Sequence, residues 1–297
     1  MNRAEEFERL RPLLFSIAYR ILGSVSEAED AVQETWLRYA ASPTQPASAK
    51  AFLSAAVTRV SIDVLRSARV RREEYVGQWL PEPLLTDPYQ DPERSAQLAD
   101  SVSMAALLLL ERLSPLERAV FVLREVFGFG FPEVASAVGR SEAACRQLFS
   151  RARAHIADHR PRFDARPDEH RRLVEQFMRA ARTGDVDGLA GLLAEDATLW
   201  ADGGGKVPGA ALRPLHGRSQ VARFVAGVTA RLAPAGATYT VAGVNGRPAL
   251  LVRRADGHPV VVVCIEVERS HIRTVWAIGN PDKLGAVQPL TRAPRPR

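Results

Sequence analysis

Two short segments in the C-terminal half of the sequence combine charged side chains with residues that bend the backbone. The first is DGGGK at residues 202–206, and the second is NPDKL at residues 280–284. The chain has 37 arginines but only three lysines, and two of these lysines, Lys206 and Lys283, lie in the two segments. Three kinds of chemistry use such residues: phosphate binding, acid–base catalysis and contact with another protein surface.

The sequence around DGGGK does not support phosphate binding in a P-loop. The spacing G-x-x-x-x-G-K-[ST] is absent, and Val207 follows the lysine. Catalysis stays open because Asp202, His216 and His271 could line a cavity, although Asp202 is expected to be exposed in a turn. No nucleophile–base pair and no metal-ligand cluster is recognisable, so no catalytic residue, cofactor or metal is predicted. A contact surface is favoured, because glycines let a partner approach closely and an ammonium fits sites closed to a guanidinium.

Arginine-rich helices are predicted in the first 73 residues. An amphipathic helix contains DAVQETWLRYAA, with Ser26 and Glu29 as its expected capping box and Trp36 and Leu37 on its apolar side. The polar loop SPTQPASAK separates it from a helix, AFLSAAVTRVSIDVLRSARVRRE, that changes from apolar to basic along its length.

A helix-turn-helix is predicted further along the chain. Residues 131–138 supply its first helix, Gly139 permits the tight turn, and Ser141 caps the second helix. Cys145 and Leu148 are expected to face the core of this unit. The opposite side of the second helix carries arginines that can bind guanine edges or phosphates in a major groove.

The charge changes sign along the sequence. The net charge is +3 for residues 1–72, −6 for residues 73–105, +3 for residues 106–166 and +6 for residues 167–297. Basic modules joined by an acidic, proline-rich linker suggest a nucleic-acid-binding protein. Within the linker, the apolar stretch WLPEPLL is expected to dock onto another surface. Without a long apolar run, a signal peptide or a cysteine framework, we expect a cytoplasmic protein.

The last part of the chain is predicted to be an α+β domain. An amphipathic helix, a Gly-Asp turn, a short helix and a strand are followed by a helix with Ser219 as its expected cap. The strands TYTVAGV, RPALLVRR, HPVVVVCIEVE and SHIRTVWAIG then follow in succession. This order predicts a curved antiparallel sheet around helices.

The whole pattern resembles the extracytoplasmic-function (ECF) sigma factors of the subgroup with a fused SnoaL-like C-terminal domain. The similarity rests on DAVQETWLR, AVTRVSIDVLRSAR, the helix-turn-helix, and the motifs WLPEPL, DGGGK and NPDKL. It implies an all-α sigma region 2 at residues 1–74, a linker at 75–105 and a helix-turn-helix sigma region 4 at 106–163. An α+β SnoaL-like cone domain at 167–285 and a flexible tail at 286–297 would follow.

The resemblance also implies roles for individual residues. The expected contacts with core RNA polymerase are Asp30, Gln33, Glu34 and Arg38. The expected contacts with the −10 promoter element are Lys50, Arg59, Asp63, Arg66 and Arg69. The expected contacts with the −35 element are Ser141, Glu142, Arg146, Gln147, Ser150, Arg151 and Arg153. The expected interdomain regulatory contacts are Trp79, Leu80, Pro81, Glu82, Pro83, Asp202, Gly203, Gly204, Gly205, Lys206, Asn280, Pro281, Asp282, Lys283 and Leu284.

These expectations describe a sigma factor that binds core RNA polymerase and promoter DNA, is not an enzyme, and has no membrane partner. The SnoaL-like domain would regulate it in cis, because a tethered regulator acts at a high effective concentration. One alternative is a bifunctional sigma factor whose C-terminal domain binds or converts a small apolar ligand. Another is a helix-turn-helix regulator that binds duplex DNA without polymerase.

Overall fold

The computed structural model describes residues 2–43, 46–89, 91, 93, 95–157 and 166–287. Its contacts divide the chain into two compact units. The N-terminal unit consists of Met1–Tyr75 with Thr86–Pro161, and the C-terminal unit consists of Val76–Leu85 with Arg162–Arg297. The acidic linker is therefore shared, since its segment Val76–Leu85 belongs to the C-terminal unit and the remainder to the N-terminal unit. From residue 288 onward, the predicted tail lies outside the described residues.

The N-terminal unit begins with a bundle of three long helices: α1 (Arg3–Leu22), α2 (Val25–Ala41) and α3 (Ala49–Glu73). Gly23 ends α1 in the left-handed conformation, with φ 70°, as the sequence predicted. The predicted cap of α2 is wrong by two positions. Ser24, not Ser26, accepts a hydrogen bond from the backbone N–H of Glu27 at 3.1 Å, because the chain enters α2 directly after Gly23.

Shorter helices complete this unit: α4 (Ser95–Ser101), α5 (Met104–Leu110), α6 (Pro115–Phe121), α7 (Phe131–Val138) and α8 (Glu142–Ala157). A π-helical turn, Val122–Val126, follows α6. The predicted helix-turn-helix is present as α7 and α8. Gly139 has φ 65° in the turn, and Ser141 Oγ accepts from Ala144 N at 3.2 Å. Among the described helices, none is both long and apolar enough to cross a membrane.

The C-terminal unit packs helices against one six-stranded sheet. The helices are α9 (Pro167–Thr183), α10 (Val186–Leu192) and α11 (Arg218–Leu232). The strands are β1 (Leu193–Asp202), β2 (Leu215–His216), β3 (Thr238–Val244), β4 (Arg247–Arg253), β5 (Pro259–Glu268) and β6 (His271–Ile278). Their order is β2-β1-β6-β5-β4-β3, with β1 and β6 parallel and the other pairs antiparallel. Strand β2 was not predicted, and Gly217, not Ser219, precedes α11.

Two tight hairpin turns connect the antiparallel strands of this sheet. Asn245 and Gly246 join β3 to β4 with φ values of 52° and 70°. Arg269 and Ser270 join β5 to β6 with φ values of 49° and 63°. Positive φ at both central residues is the geometry of a type I′ turn, which favours Asn-Gly and matches the twist of paired strands. The first turn therefore follows from its sequence, whereas the second places two non-glycine residues in the left-handed region.

Candidate functional site

The outer face of α2 carries the residues predicted to bind polymerase: Asp30, Gln33, Glu34 and Arg38. Glu34 Oε1 and Arg38 Nε lie 2.7 Å apart. Leu37 was predicted to face inward but is 55% exposed on this same face. Trp36 takes the inward place, with its ring centroid 5.0 Å from that of Phe7. The face is therefore a mixed one, with an apolar side chain among charged and polar ones.

Helix α3 carries the residues predicted to contact the −10 element, and it packs against α7. Lys50, Arg59, Asp63 and Arg66 are exposed, whereas the side chain of Arg69 lies outside the described part of the chain. Arg59 donates hydrogen bonds to the carbonyl oxygens of Ala137, at 3.0 Å, and Ser136. These carbonyls end α7, where a helix leaves acceptors unpaired and is partly negative. Arg59 therefore caps the first helix of the helix-turn-helix.

Helix α8 presents the residues predicted to contact the −35 element. All except Glu142 are exposed, namely Ser141, Arg146, Gln147, Ser150, Arg151 and Arg153, and Glu142 is half-buried. The Arg146 guanidinium lies 4.8 Å from the ring centroid of Phe131 and 3.1 Å from Glu142 Oε2. Arg151 pairs with Glu117 at 3.4 Å. Cys145 faces inward as predicted, and burial raises the pKa of its thiol. The basic groups are therefore on the solvent side of the helix.

Buried arginines hold the N-terminal unit together, and their burial could not be predicted from the residues around them. Arg20 is fully buried in α1, and its Nη2 lies 2.8 Å from Asp87 Oδ2 and 2.9 Å from the carbonyl oxygen of Leu98. Burial lowers the pKa of Arg20, which the charge of Asp87 opposes. A buried charge needs such partners. Arg20 therefore ties α1 to residues 86–101, the second part of the linker.

Glu111 makes a second connection of this kind. Its two carboxylate oxygens pair with Arg72, near the end of α3, and with Arg118 in α6. The Nε of Arg118 also donates to the carbonyl oxygen of Arg20 at 2.9 Å. One carboxylate thus joins the last turn of the first three-helix bundle to the helices that precede the helix-turn-helix.

The C-terminal unit contains a buried ion pair between the DGGGK and NPDKL segments. Asp202 was predicted to be exposed, but it is 1% exposed, because it ends the interior strand β1. Lys283 Nζ lies 2.6 Å from Asp202 Oδ2 and donates to the carbonyl oxygen of Leu80 at 2.6 Å. Asp202 Oδ2 also accepts from Leu80 N at 2.9 Å. The ammonium group is 4.3 Å from the ring centroid of Trp79, within cation–π range.

The other residues of the two segments support this pair. Lys206 pairs with Asp282 in an exposed contact that joins the segments to each other. Asn280 N donates to Asp202 O at 2.9 Å. Gly204 has φ 55°, and a Cβ there would lie 2.4 Å from Asn280 Nδ2, so glycine is required for both reasons. Of the remaining predicted contacts, Pro81, Glu82, Pro83, Gly203 and Leu284 are buried, whereas Gly205 and Pro281 are exposed.

The acid–base residues considered for catalysis do not come together. Asp202 pairs across the sheet with Ile278 at the end of β6, whereas His271 begins that strand, about 23 Å away along an extended chain. His216 lies in β2 opposite Thr198 and is exposed. Asp202 is already occupied by Lys283 and Leu80. Among the residues that the structure describes, no group of His, Cys, Asp and Glu is arranged to hold a metal ion.

Comparison with known proteins identifies three parts of the chain. The family models described as Sigma-70 region 2, Sigma-70 region 4 and SnoaL-like domain match residues 7–71, 103–156 and 174–278. The ECF RNA polymerase sigma factor SigJ of Mycobacterium tuberculosis (strain ATCC 25618 / H37Rv) is 40% identical over 287 residues, which cover 94% of this chain and 92% of that protein. The probable ECF RNA polymerase sigma factor SigI of Mycobacterium tuberculosis (strain CDC 1551 / Oshkosh) is 34% identical over 62% of this chain and 64% of its own length.

A solved structure agrees with these similarities over nearly the whole chain. The crystal structure of the Mycobacterium tuberculosis extracytoplasmic function sigma factor SigJ superposes with a TM-score of 0.74 at 36% sequence identity. The superposition covers 97% of this chain and 100% of that one. The resemblance found in the sequence, and the fold class it implied, are therefore confirmed.

Proposed function

Because the chain belongs to the ECF RNA polymerase sigma factors and carries a SnoaL-like domain, we propose that this domain regulates promoter-specific transcription initiation in cis. Sigma factors act with core RNA polymerase and promoter DNA, in the cytoplasm. The observation that carries the proposal is that Asp202 and Lys283, which form an ion pair, both hydrogen-bond to the backbone of Leu80. Leu80 lies between region 2 and region 4 in the sequence, so the SnoaL-like domain binds the segment that connects the two promoter-binding regions.

Within this function, the exposed faces of three helices take different partners. The face of α2 with Glu34 and Leu37 binds core polymerase. The cationic side of α3 contacts the −10 element. Helix α8 lies in the major groove of the −35 element, where Arg146 and its neighbours contact base edges or phosphates. The support for each assignment is exposure, charge and place in the sigma regions.

The linker contact gives the regulation a physical basis. A free linker lets region 2 and region 4 take many separations, whereas a linker bound at Leu80 has lost part of that freedom. Because the SnoaL-like domain is part of the same chain, its effective concentration at the linker is high and modest contacts suffice. We assign no enzymatic step to the domain, since the named relatives are sigma factors and Asp202 is engaged by Lys283 and Leu80.

In vitro transcription with core polymerase tests the proposal. The full chain is compared with a chain that ends at Phe163 and with the full-length variants Lys283→Met and Lys206→Met. We expect Lys283→Met and the shortened chain to change the yield of promoter-specific transcript in the same direction. Lys206→Met is the matched control, because it removes a lysine from an exposed pair, and its effect is expected to be smaller. Equal transcription by all four chains would contradict regulation in cis.

A further inference from the structure

The linker segment is held at a second point, Leu84, by a residue of the C-terminal unit that belongs to none of the motifs WLPEPL, DGGGK and NPDKL. At Leu84, the backbone N–H of Asn245 donates to the carbonyl oxygen at 2.7 Å. In return, Leu84 N donates to Asn245 Oδ1 at 3.1 Å. Leu80 and Leu84 are 0% and 7% exposed, and Asn245 is buried too. The hydrogen bonds therefore form away from water, where an unmade one is costly.

The sequence of the linker explains why these contacts matter. Between the two leucines, Pro81 and Pro83 carry no backbone N–H and favour an extended conformation. The stretch from Leu80 to Leu84 therefore offers N–H groups only at its two ends and at Glu82. Asp202 accepts the first and Asn245 accepts the last. Each leucine is thus bound through both its N–H and its C=O group.

We propose that Asn245 is a second anchor of the linker, equivalent at Leu84 to the Asp202–Lys283 pair at Leu80. The SnoaL-like domain then recognises a linear Leu-Pro-x-Pro-Leu element at both ends, as peptide-binding domains recognise extended proline-rich ligands. With two anchors the segment cannot slide along the domain, and loss of one anchor leaves the other to rebind it at a high effective concentration. This inference rests on the proposed regulation through the linker.

In the β3–β4 turn, the Asn245 side chain makes a contact that the turn geometry does not need. Its φ of 52° at the first central position of a type I′ turn suits Asn, Asp and Gly. Glycine would satisfy this geometry with less strain than asparagine but would supply no acceptor. The Oδ1 atom that the turn itself does not require is the atom that binds Leu84.

Hydrogen exchange of the full-length protein tests this anchor with two glycine variants. Asn245→Gly keeps the turn geometry and removes Oδ1. Arg269→Gly makes the same change at the first central position of the β5–β6 turn, where φ is 49° and the side chain is exposed. We expect Asn245→Gly to raise the exchange rate of the Leu84 amide about tenfold or more, because it loses a buried acceptor, while Arg269→Gly leaves that rate unchanged. Exchange of Leu84 at the wild-type rate in Asn245→Gly would overturn the proposal.

The same samples separate this inference from the proposed function. If Lys283→Met changes transcription while Asn245→Gly leaves Leu84 protected, regulation through the linker stands and the second anchor is wrong. If Asn245→Gly exposes Leu84 but neither this variant, Lys283→Met nor the shortened chain changes transcription, the anchor stands and regulation through the linker is wrong. If Asn245→Gly exposes Leu84 and also shifts transcription in the direction of Lys283→Met, both are supported.

Discussion

Lys283 Nζ and Asp202 Oδ2 lie 2.6 Å apart in the interior of the C-terminal unit, with side-chain exposures of 7% and 0%. Removal of one partner would leave the other charge buried without compensation. We expect Lys283→Met to lower the free energy of unfolding of this unit by about 3–5 kcal/mol. Lys206→Met, which breaks the exposed pair with Asp282, is expected to cost at most about 1 kcal/mol.

Urea unfolding followed by tryptophan fluorescence measures both changes. The double variant Asp202→Asn with Lys283→Met removes the two charges together, and we expect it to recover part of the loss seen for Lys283→Met alone. Equal destabilisation by Lys283→Met and Lys206→Met would show that loss of the buried pair costs no more free energy of unfolding than loss of the exposed pair.

Because His170 is buried, we expect the stability of the same unit to depend on pH. Burial, and then the charge of Arg247, lower the pKa of its imidazole from 6.5 to about 4. As pH falls from about 6.5 to about 4, the unfolded chain binds a proton that the folded chain does not, so stability falls over this window by about 3 kcal/mol. His170→Leu should remove this part of the acid sensitivity. The control is His258→Gln at an exposed position, and identical pH profiles for His170→Leu and wild type would contradict the prediction.

Leu37 is expected to contribute to polymerase binding. It is exposed beside Glu34 and Arg38, so Leu37→Ala should change the free energy of unfolding by less than about 0.5 kcal/mol. At a polymerase interface the same truncation is expected to cost about 1 kcal/mol or more of binding free energy. Leu232→Ala, at an exposed position of α11, is the matched control. The assignment fails if a polymerase titration gives the same affinity for Leu37→Ala as for wild type.

Arg146 and Arg151 are expected to contact the −35 element in ways that salt dependence can distinguish. Arg146→Ala and Arg151→Ala should each weaken binding. A lost base contact costs about 1–3 kcal/mol and relaxes specificity at that base. A lost phosphate contact weakens all sequences alike and lowers the slope of log K against log salt concentration by about 0.9. Arg223→Ala in α11 serves as control. Unchanged −35 occupancy of both region 4 variants in footprinting would refute the assignment.

The local structure could be predicted where a short stretch of sequence determines it. Gly139 and Ser141 define the helix-turn-helix, and Gly23 ends α1, because each acts on residues within one turn of itself. The cap of α2 was harder to predict, because the side chains of Ser24 and Ser26 can both cap a helix. The position of the preceding turn decides that Ser24 is the cap.

Burial that depends on distant residues was harder to predict. Asp202 precedes three glycines and was expected in an exposed turn, but a lysine 81 residues away neutralises it inside the domain. Likewise, nothing near Asn245 in the sequence shows that Leu84, 161 residues earlier, binds to it. Leu37 was placed inside because it is apolar, whereas Trp36 fills that space.

The hydrogen bonds from Arg59 to the end of α7 have a consequence for promoter capture. On the proposed assignments, α3 binds the −10 element and the helix-turn-helix binds the −35 element. The centres of these two elements are about 25 base pairs apart, which is about 85 Å of duplex at 3.4 Å per base pair. Arg59 Nε lies 3.0 Å from the carbonyl oxygen of Ala137, so a chain in this compact state cannot occupy both elements at once. The apparent promoter affinity is then the affinity of the opened chain multiplied by the fraction of molecules that are open. Each tenfold gain in the opened fraction, while that fraction is small, raises the apparent affinity tenfold without any new contact to DNA.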